Sequence, residues 1–291
     1  EKFASLKRLT FSAKIVAITG SAGKTTLKFM LGKILKCYGK SYFPPKSFNN
    51  NIGVPLSLSN LEHDHKFGVF EIGMNKPGEI NSLSKIVKPD IAVITNVAEA
   101  HIENFKNLLG IAKEKSSIIQ NINDGGTIIL NRSDRFFKLM LKQTFKKNLK
   151  VITFGNNKNA DIFPIKKNLI NGVDYFKISF FNEVLIIKSN GSKILNILAC
   201  LAVLKSLDLD IGKIKDFFLN FNSIEGRGKI FKIKMKNKAF KLIDESYNAN
   251  PLSVKEAINN LSKIKTLNNS KKYILLGDML ELGKKSRLYH R

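Results

Sequence analysis

Residues 15–26 read IVAITGSAGKTT, and the fold turns on what this stretch is. Residues 15–19 are short and apolar, as a strand buried on both faces would be. A loop follows at Gly20, and Gly23-Lys24-Thr25 opens a segment whose apolar residues Leu27, Met30, Leu31, Ile34 and Leu35 recur at helical spacing. Strand, glycine loop and helix N-terminus in succession make an anion site. Backbone N–H groups point outward there, and the helix dipole adds positive charge. Lys24 can reach outer phosphates, and the Thr25 hydroxyl can ligate Mg²⁺. The common phosphate loop is G-x-x-x-x-G-K-[ST]. Its first glycine would fall at position 18, which is Ile18, whereas Gly20 stands three residues before Gly23. The stretch is therefore either a shortened phosphate cradle or an ordinary strand–helix turn.

Further buried strands are predicted outward from the loop at residues 67–72 (FGVFEI), 91–95 (IAVIT) and 127–130 (TIIL). A helix is predicted over 79–87, between the turn residues Asn75-Lys76-Pro77-Gly78 and Pro89. Strands alternating with helices predict an α/β fold: a P-loop-type central domain with a mostly parallel sheet flanked by helices. Past about residue 150 the texture changes, and residues 173–181 and 183–188 alternate like antiparallel strands. Residues 194–207 form an apolar helix, and Glu225-Gly226-Arg227-Gly228 is a break. The central domain is placed at 1–224. Residues 225–291 are taken as the start of a second, Rossmann-like α/β domain, with a strand at 240–243, a helix at 253–264 and a strand at 273–276.

The chain has 291 residues, of which 43% are hydrophobic, enough for a real core. No apolar run approaches the ~18 residues of a membrane span, and the first residues do not read as a secretory signal. Cys37 and Cys200 are far apart, with no metal spacing between them. Both are expected to be buried thiols in a reducing compartment. The formal charge of +26 raises nucleic-acid binding. The lysines are scattered, arginine is sparse and no aromatic-basic stacking pattern is present, so no nucleic-acid partner is expected. The charge still favours anionic substrates.

A metal-bound nucleotide needs a carboxylate, and in parallel sheets ligands sit at the carboxyl ends of strands. Glu71 ends the strand FGVFEI, where a buried acid needs a partner. Mg²⁺ would be one partner and a paired cation the alternative. His101 follows the strand ending in Thr95-Asn96, where it either ligates metal or sits on the surface. His63 and His65, in EHDHK, read as a solvated loop.

These pieces occur in a characteristic order: TGSAGKTT, NNNIGVP (49–55), EIGMNKPGEI (71–80), ITNVAEAHIENF (94–105), DESYNANP (244–251) and LGDMLELG (276–283). Together they resemble the Mur ligases, ATP-dependent amide-forming enzymes of bacterial cell-wall synthesis, whose phosphate loop has the short TGxxGKT form. YNANP and GDMLELG look like the branch that adds D-alanyl-D-alanine to UDP-N-acetylmuramoyl-tripeptide through an acyl phosphate. The resemblance implies a cytoplasmic, monomeric enzyme acting on small molecules, with ATP and Mg²⁺. It also implies that a UDP-binding N-terminal domain is missing, that the C-terminal domain is truncated, and that residues 1–291 alone turn over weakly or not at all.

By that resemblance Gly20, Ser21, Ala22, Gly23, Lys24, Thr25 and Thr26 bind the phosphates. Thr25 and Glu71 hold one Mg²⁺, and His101 helps bind a second. Lys115 matches a lysine that becomes carbamylated in related ligases; the carbamate would be a further metal ligand, whereas the residues alone suggest a surface lysine. Arg227 matches an arginine that reaches ATP phosphate from the third domain. Asn248 and Asn250 lie where that domain meets nucleotide or acceptor, and Glu245 stands where an Asp is more usual. Asn196 matches an adenine-side asparagine, but Ser192-Lys193 replaces the usual His-Asn pair ahead of it. The alternatives are another amino-acid-adding Mur ligase, a folylpolyglutamate-type ligase, or a P-loop NTPase switch.

Overall fold

The computed structural model describes residues 1–191, 193–235, 238–264 and 270–291. After a first helix α1 (Lys2–Leu9), the chain alternates strand and helix: β1 (Lys14–Thr19), α2 (Lys24–Leu35), β2 (Ser41–Tyr42), α3 (Gly53–Ser59), β3 (Phe67–Glu71), α4 (Glu79–Val87) and β4 (Ile91–Ile94). Then come α5 (Leu108–Ser116), β5 (Thr127–Asn131), α6 (Phe137–Thr144) and β6 (Lys150–Phe154). Three longer strands follow, β7 (Ile162–Ile170), β8 (Val173–Phe180) and β9 (Glu183–Ser189), then α7 (Ile194–Ser206) and α8 (Phe217–Asn220).

These strands form a nine-stranded sheet in the order β2-β3-β1-β4-β5-β6-β7-β8-β9. Pairing is parallel from β2 to β7 and antiparallel from β7 to β9. The change to antiparallel comes past residue 150, at β7, and the two runs expected to be antiparallel are β8 and β9; β6 still pairs in parallel with β5.

The apolar runs are explained by cover on both faces. Val16, Ile18, Val69, Ile91, Val93 and Ile129 pack with α2 and α7. Their neighbours Ile15, Ala17, Phe70, Ala92, Ile94, Ile128 and Leu130 pack on the other side with Ile80, Leu83, Ile111 and Met140. Burying one leucine- or isoleucine-sized side chain is worth roughly 1.5–3 kcal/mol, so the continuous runs act as a two-sided core. In α7 every residue from Asn196 to Leu204 is buried, which is why it is apolar all round.

β1 lies between β3 and β4, so the chain moves to opposite sides of β1 in its successive crossovers. Such a reversal leaves a crevice at the carboxyl ends of the strands. Gly20, Glu71 and Thr95 all lie at those ends.

Past α8 the chain leaves the large sheet. β10 (Lys229–Met235) and β11 (Lys238–Asp244) form an antiparallel hairpin, followed by α9 (Pro251–Lys263) and a last short helix α10 (Ser286–Tyr289). The boundary placed near residue 225 falls between α8 and β10. The strand expected at 273–276 does not form, and Tyr273 and Leu275 are 79% and 97% exposed. A buried parallel strand needs partners on its flanks, and among the described residues the second sheet contains only β10 and β11.

Two smaller expectations are also corrected. Cys200 is buried, but Cys37 is exposed, because it lies just beyond the last buried turn of α2. His65 is buried rather than solvated: its Nδ1 accepts the Glu62 N–H at 2.9 Å and its ring meets Tyr42 edge-on. No helix among the described residues is long and apolar enough to cross a membrane.

Candidate active site

The 20–23 loop is held by the residues that follow β4. Ser21 N–H donates to Asn96 O at 3.0 Å, and Ala22 N–H donates to Asn96 Oδ1 at 2.9 Å. Thr95 Oγ1 donates to Ala22 O at 2.7 Å, and Ser21 Oγ donates to Ala98 O at 3.0 Å. The glycines are required by this packing. A Cβ on Gly20 (φ +148°) would lie 1.8 Å from Thr95 Oγ1, and one on Gly23 (φ +84°) 3.1 Å from Asn196 Oδ1. Gly23 caps α2 in the left-handed conformation, so the N–H groups of the first turn are left outside the helix ladder.

Lys24 follows immediately and folds back so that Nζ donates to Gly20 O at 2.7 Å. Burial lowers its pKa from the ordinary lysine value, Glu71 opposes that, and Arg227 adds to it. Thr25 is buried, with Oγ1 3.0 Å from Ser47 Oγ. Thr26 is half-buried on the same turn.

Glu71, at the end of β3, is 1% exposed. Its Oε1 accepts Asn49 Nδ2 at 2.8 Å, while Oε2 is buried with no hydrogen-bond partner among the described residues. An orphaned buried carboxylate oxygen is costly. At the end of the strand beside β1, and joined to Thr25 through the Ser47 and Asn49 segment, a hard carboxylate oxygen of this kind suits Mg²⁺. The residues present therefore fit the ion at Thr25 and Glu71.

His101 sits just past β4 with φ +58°. Its Nδ1 pairs with the Glu281 carboxylate, and Glu103 N–H donates to Glu281 O at 3.1 Å, so the 278–283 segment docks on this turn. Burial lowers the His101 pKa, Glu281 raises it, and Lys24 and Lys115 lower it. Lys115, on α5, is not the surface lysine its sequence suggested. It is 2% exposed, and burial followed by the Lys24 charge pushes its ammonium well below the ordinary range. A buried lysine poised toward the neutral amine has the form that carbamylation needs. As an ammonium it would be no metal ligand.

The C-terminal segment meets the loop at Asn250. Arg227 lies near enough to influence Lys24 and stacks on Tyr247, 4.2 Å from the ring centroid. Asn250 caps α9 by accepting Ser253 N–H, and its Nδ2 lies 3.5 Å from Ser21 O. Glu245 is partly buried, which raises its pKa, against the pull of Lys193 and Arg227. Asn196 is buried beside Gly23, with Nδ2 lacking a partner among the described residues. Asn248 is exposed, and no hydrogen bond joins it to the loop among the described residues. Ser192 lies outside the described residues; Lys193 pairs with Glu256 at 3.0 Å.

Sequence reasoning missed Ser47, Asn49, Thr95, Asn96 and Lys28 as parts of this site. Asn49 lies in the quoted NNNIGVP stretch, and Thr95-Asn96 end a predicted strand, so position alone could have marked them. Lys28 is 0% exposed, with its ammonium lowered by burial to about 8. Its signal was a lysine on the apolar face of α2, among 49 lysines and arginines in the chain.

Residues 18–204 match the family described as the Mur ligase middle domain. A curated relative from Buchnera aphidicola subsp. Baizongia pistaciae, named UDP-N-acetylmuramoyl-tripeptide--D-alanyl-D-alanine ligase, is 36% identical over 100% of this chain and 62% of its own length. The Escherichia coli (strain K12) protein of the same name is 30% identical over 99% of the chain and 63% of its own length. The chain thus spans about three fifths of the length of these relatives. Among solved structures, MurF from Acinetobacter baumannii superposes with TM-score 0.88 at 29% identity, over 99% of this chain and 62% of that one. MurF from Thermotoga maritima, in complex with ADP, superposes with TM-score 0.86 at 28% identity, over 99% and 65%.

Proposed function

The chain belongs to the Mur ligase family, and from that premise we propose that it carries the ATP site of a ligase joining D-alanyl-D-alanine to UDP-N-acetylmuramoyl-tripeptide. The enzyme would work in the cytoplasm as a monomer, in peptidoglycan precursor synthesis. The observation that carries the proposal is the pairing of the short Gly20–Lys24 loop with the half-satisfied Glu71 carboxylate at the next strand end.

In the proposed reaction a carboxylate oxygen of the tripeptide attacks the γ-phosphorus of ATP. The bond from that phosphorus to the β–γ bridging oxygen breaks, and ADP leaves. The amine of D-Ala-D-Ala then attacks the acyl carbon. Inorganic phosphate departs with the bonding pair, and the amine proton passes to solvent. Such transfers depend on positioning and charge neutralisation.

Lys24 would exchange its bond to Gly20 O for a phosphate oxygen, and the loop N–H groups would hold the β-phosphate. Arg227 would bring a second, planar cation from the C-terminal segment. Asn196, Glu245, Asn248 and Asn250 are assigned to the nucleotide and the domain junction. Thr25 and Glu71 would hold Mg²⁺, with His101 and a carbamylated Lys115 facing a second ion. Mg²⁺ bound there would neutralise charge on the phosphate oxygens.

Glu71→Gln is expected to lower phosphate release on the order of 100-fold and to raise the Mg²⁺ concentration needed for half-maximal rate. An unchanged metal requirement would remove Glu71 from the metal site. For Lys115, carbon-13 NMR in labelled bicarbonate is expected to show a carbamate resonance that Lys115→Ala loses. A spectrum identical in both proteins would leave Lys115 a buried amine.

A further inference from the structure

Lys28 stands one turn beyond Lys24 on α2 and takes no part in the proposed chemistry. It is fully buried, and a buried ammonium is costly unless bonded. Its Nζ donates to Lys46 O at 2.6 Å and lies 4.4 Å from the centroid of the Phe29 ring. Lys46 belongs to the segment joining β2 to α3. The same segment carries Ser47, whose hydroxyl meets Thr25 Oγ1, and Asn49, whose amide donates to Glu71 Oε1. Asn49 O also accepts Gly73 N–H at 2.8 Å, tying the segment to the turn after β3. Residues 46–49 thus touch both side chains assigned to the metal, and Lys28 fastens the start of the stretch. Glu71 and Arg227 are the charged groups that act on Lys28, so it also sets a buried positive charge near the Glu71 carboxylate.

We propose that Lys28 is a positioning residue: by fixing the Lys46 carbonyl it holds Ser47 and Asn49 against Thr25 and Glu71, and so presets those two side chains for a divalent cation. The proposal rests on the nucleotide site described above. It differs from a phosphate-binding role, because Lys28 acts through the segment and not on the nucleotide.

The test uses residues 1–291 with Lys28→Met, which keeps the stem and removes donor and charge, and Lys28→Gln, which keeps an N–H donor. ADP affinity is measured by calorimetry with and without Mg²⁺, and hydrogen exchange is followed across residues 46–52. Lys28→Met is expected to speed exchange in that segment and to cut the Mg²⁺-dependent gain in ADP affinity about tenfold, the usual scale for groups that orient metal ligands. Affinity without metal should stay unchanged, and Lys28→Gln should recover part of the loss. Equal weakening with and without Mg²⁺ would make Lys28 a phosphate-binding cation and overturn the proposal, as would unchanged exchange. If Lys28→Met does not fold, Lys28→Gln carries both measurements. Should the unsubstituted chain bind no ADP, the nucleotide reading fails by itself, and the exchange of residues 46–52 still decides whether Lys28 clamps the segment.

Discussion

Lys24→Ala is expected to cut phosphate release by about a thousandfold or more, on the scale of removing a preorganised charge aimed at the transition state. The fold should survive. The Lys24 side chain makes one described bond, to Gly20 O in its own loop, and the core beneath α2 is built by Leu27, Met30, Leu31 and Ile34. Its ammonium is felt by Lys115 and itself feels Glu71 and Arg227, so what the substitution removes is charge at the site and not core packing. Circular dichroism and the unfolding midpoint should therefore match the unsubstituted protein while turnover is lost. Wild-type turnover in Lys24→Ala would remove the loop from the chemistry.

Gly20→Ala is expected to act on the fold itself. The new Cβ would meet Thr95 Oγ1 at 1.8 Å, on a backbone at φ +148°. Thr95 cannot step aside freely, because that hydroxyl holds Ala22 O at 2.7 Å and Asn131 Nδ2 donates to its carbonyl at 3.0 Å. Overpacking of a tight site costs about 1–3 kcal/mol, and placing a Cβ on a positive-φ backbone adds about 1–2 kcal/mol. The urea midpoint should drop accordingly, and ADP binding should be lost as the loop is displaced. Gly78→Ala is the control. It also has positive φ, at +92°, but nothing lies within 4 Å of its Cβ, so only the smaller backbone cost is expected. Equal destabilisation by the two substitutions would mean that strain alone, and not the contact with Thr95, explains the glycine.

The sheet was legible because its strands are buried on both faces. Runs such as 67–72 and 91–95 have no polar face to confuse their period, and the helix over 79–87 was bounded by Gly78 and Pro89. The strand at 273–276 misled for the same reason: an apolar run signals burial, but burial needs neighbours that the described residues do not supply. β7 was missed because, beyond its first residues, it faces solvent and carries lysines. At the site, Lys24, Thr25 and Glu71 were legible from strand ends and loop chemistry. Lys115 entered the candidate set only through the family resemblance, since nothing local in the sequence distinguishes a buried lysine from an exposed one. Lys28 and Asn49 became visible only when α2 and the 46–49 segment were seen side by side.

The central claim is tested most directly by phosphate release from Mg-ATP and UDP-N-acetylmuramoyl-tripeptide, measured on the complete reading frame with D-Ala-D-Ala, D-glutamate, diaminopimelate or lysine offered in turn. Release that depends on D-Ala-D-Ala, and is lost with Lys24→Ala, is the expected result. Release with a different amine alone would assign the site to a sister ligase. No release with any of the four would contradict the ligase account.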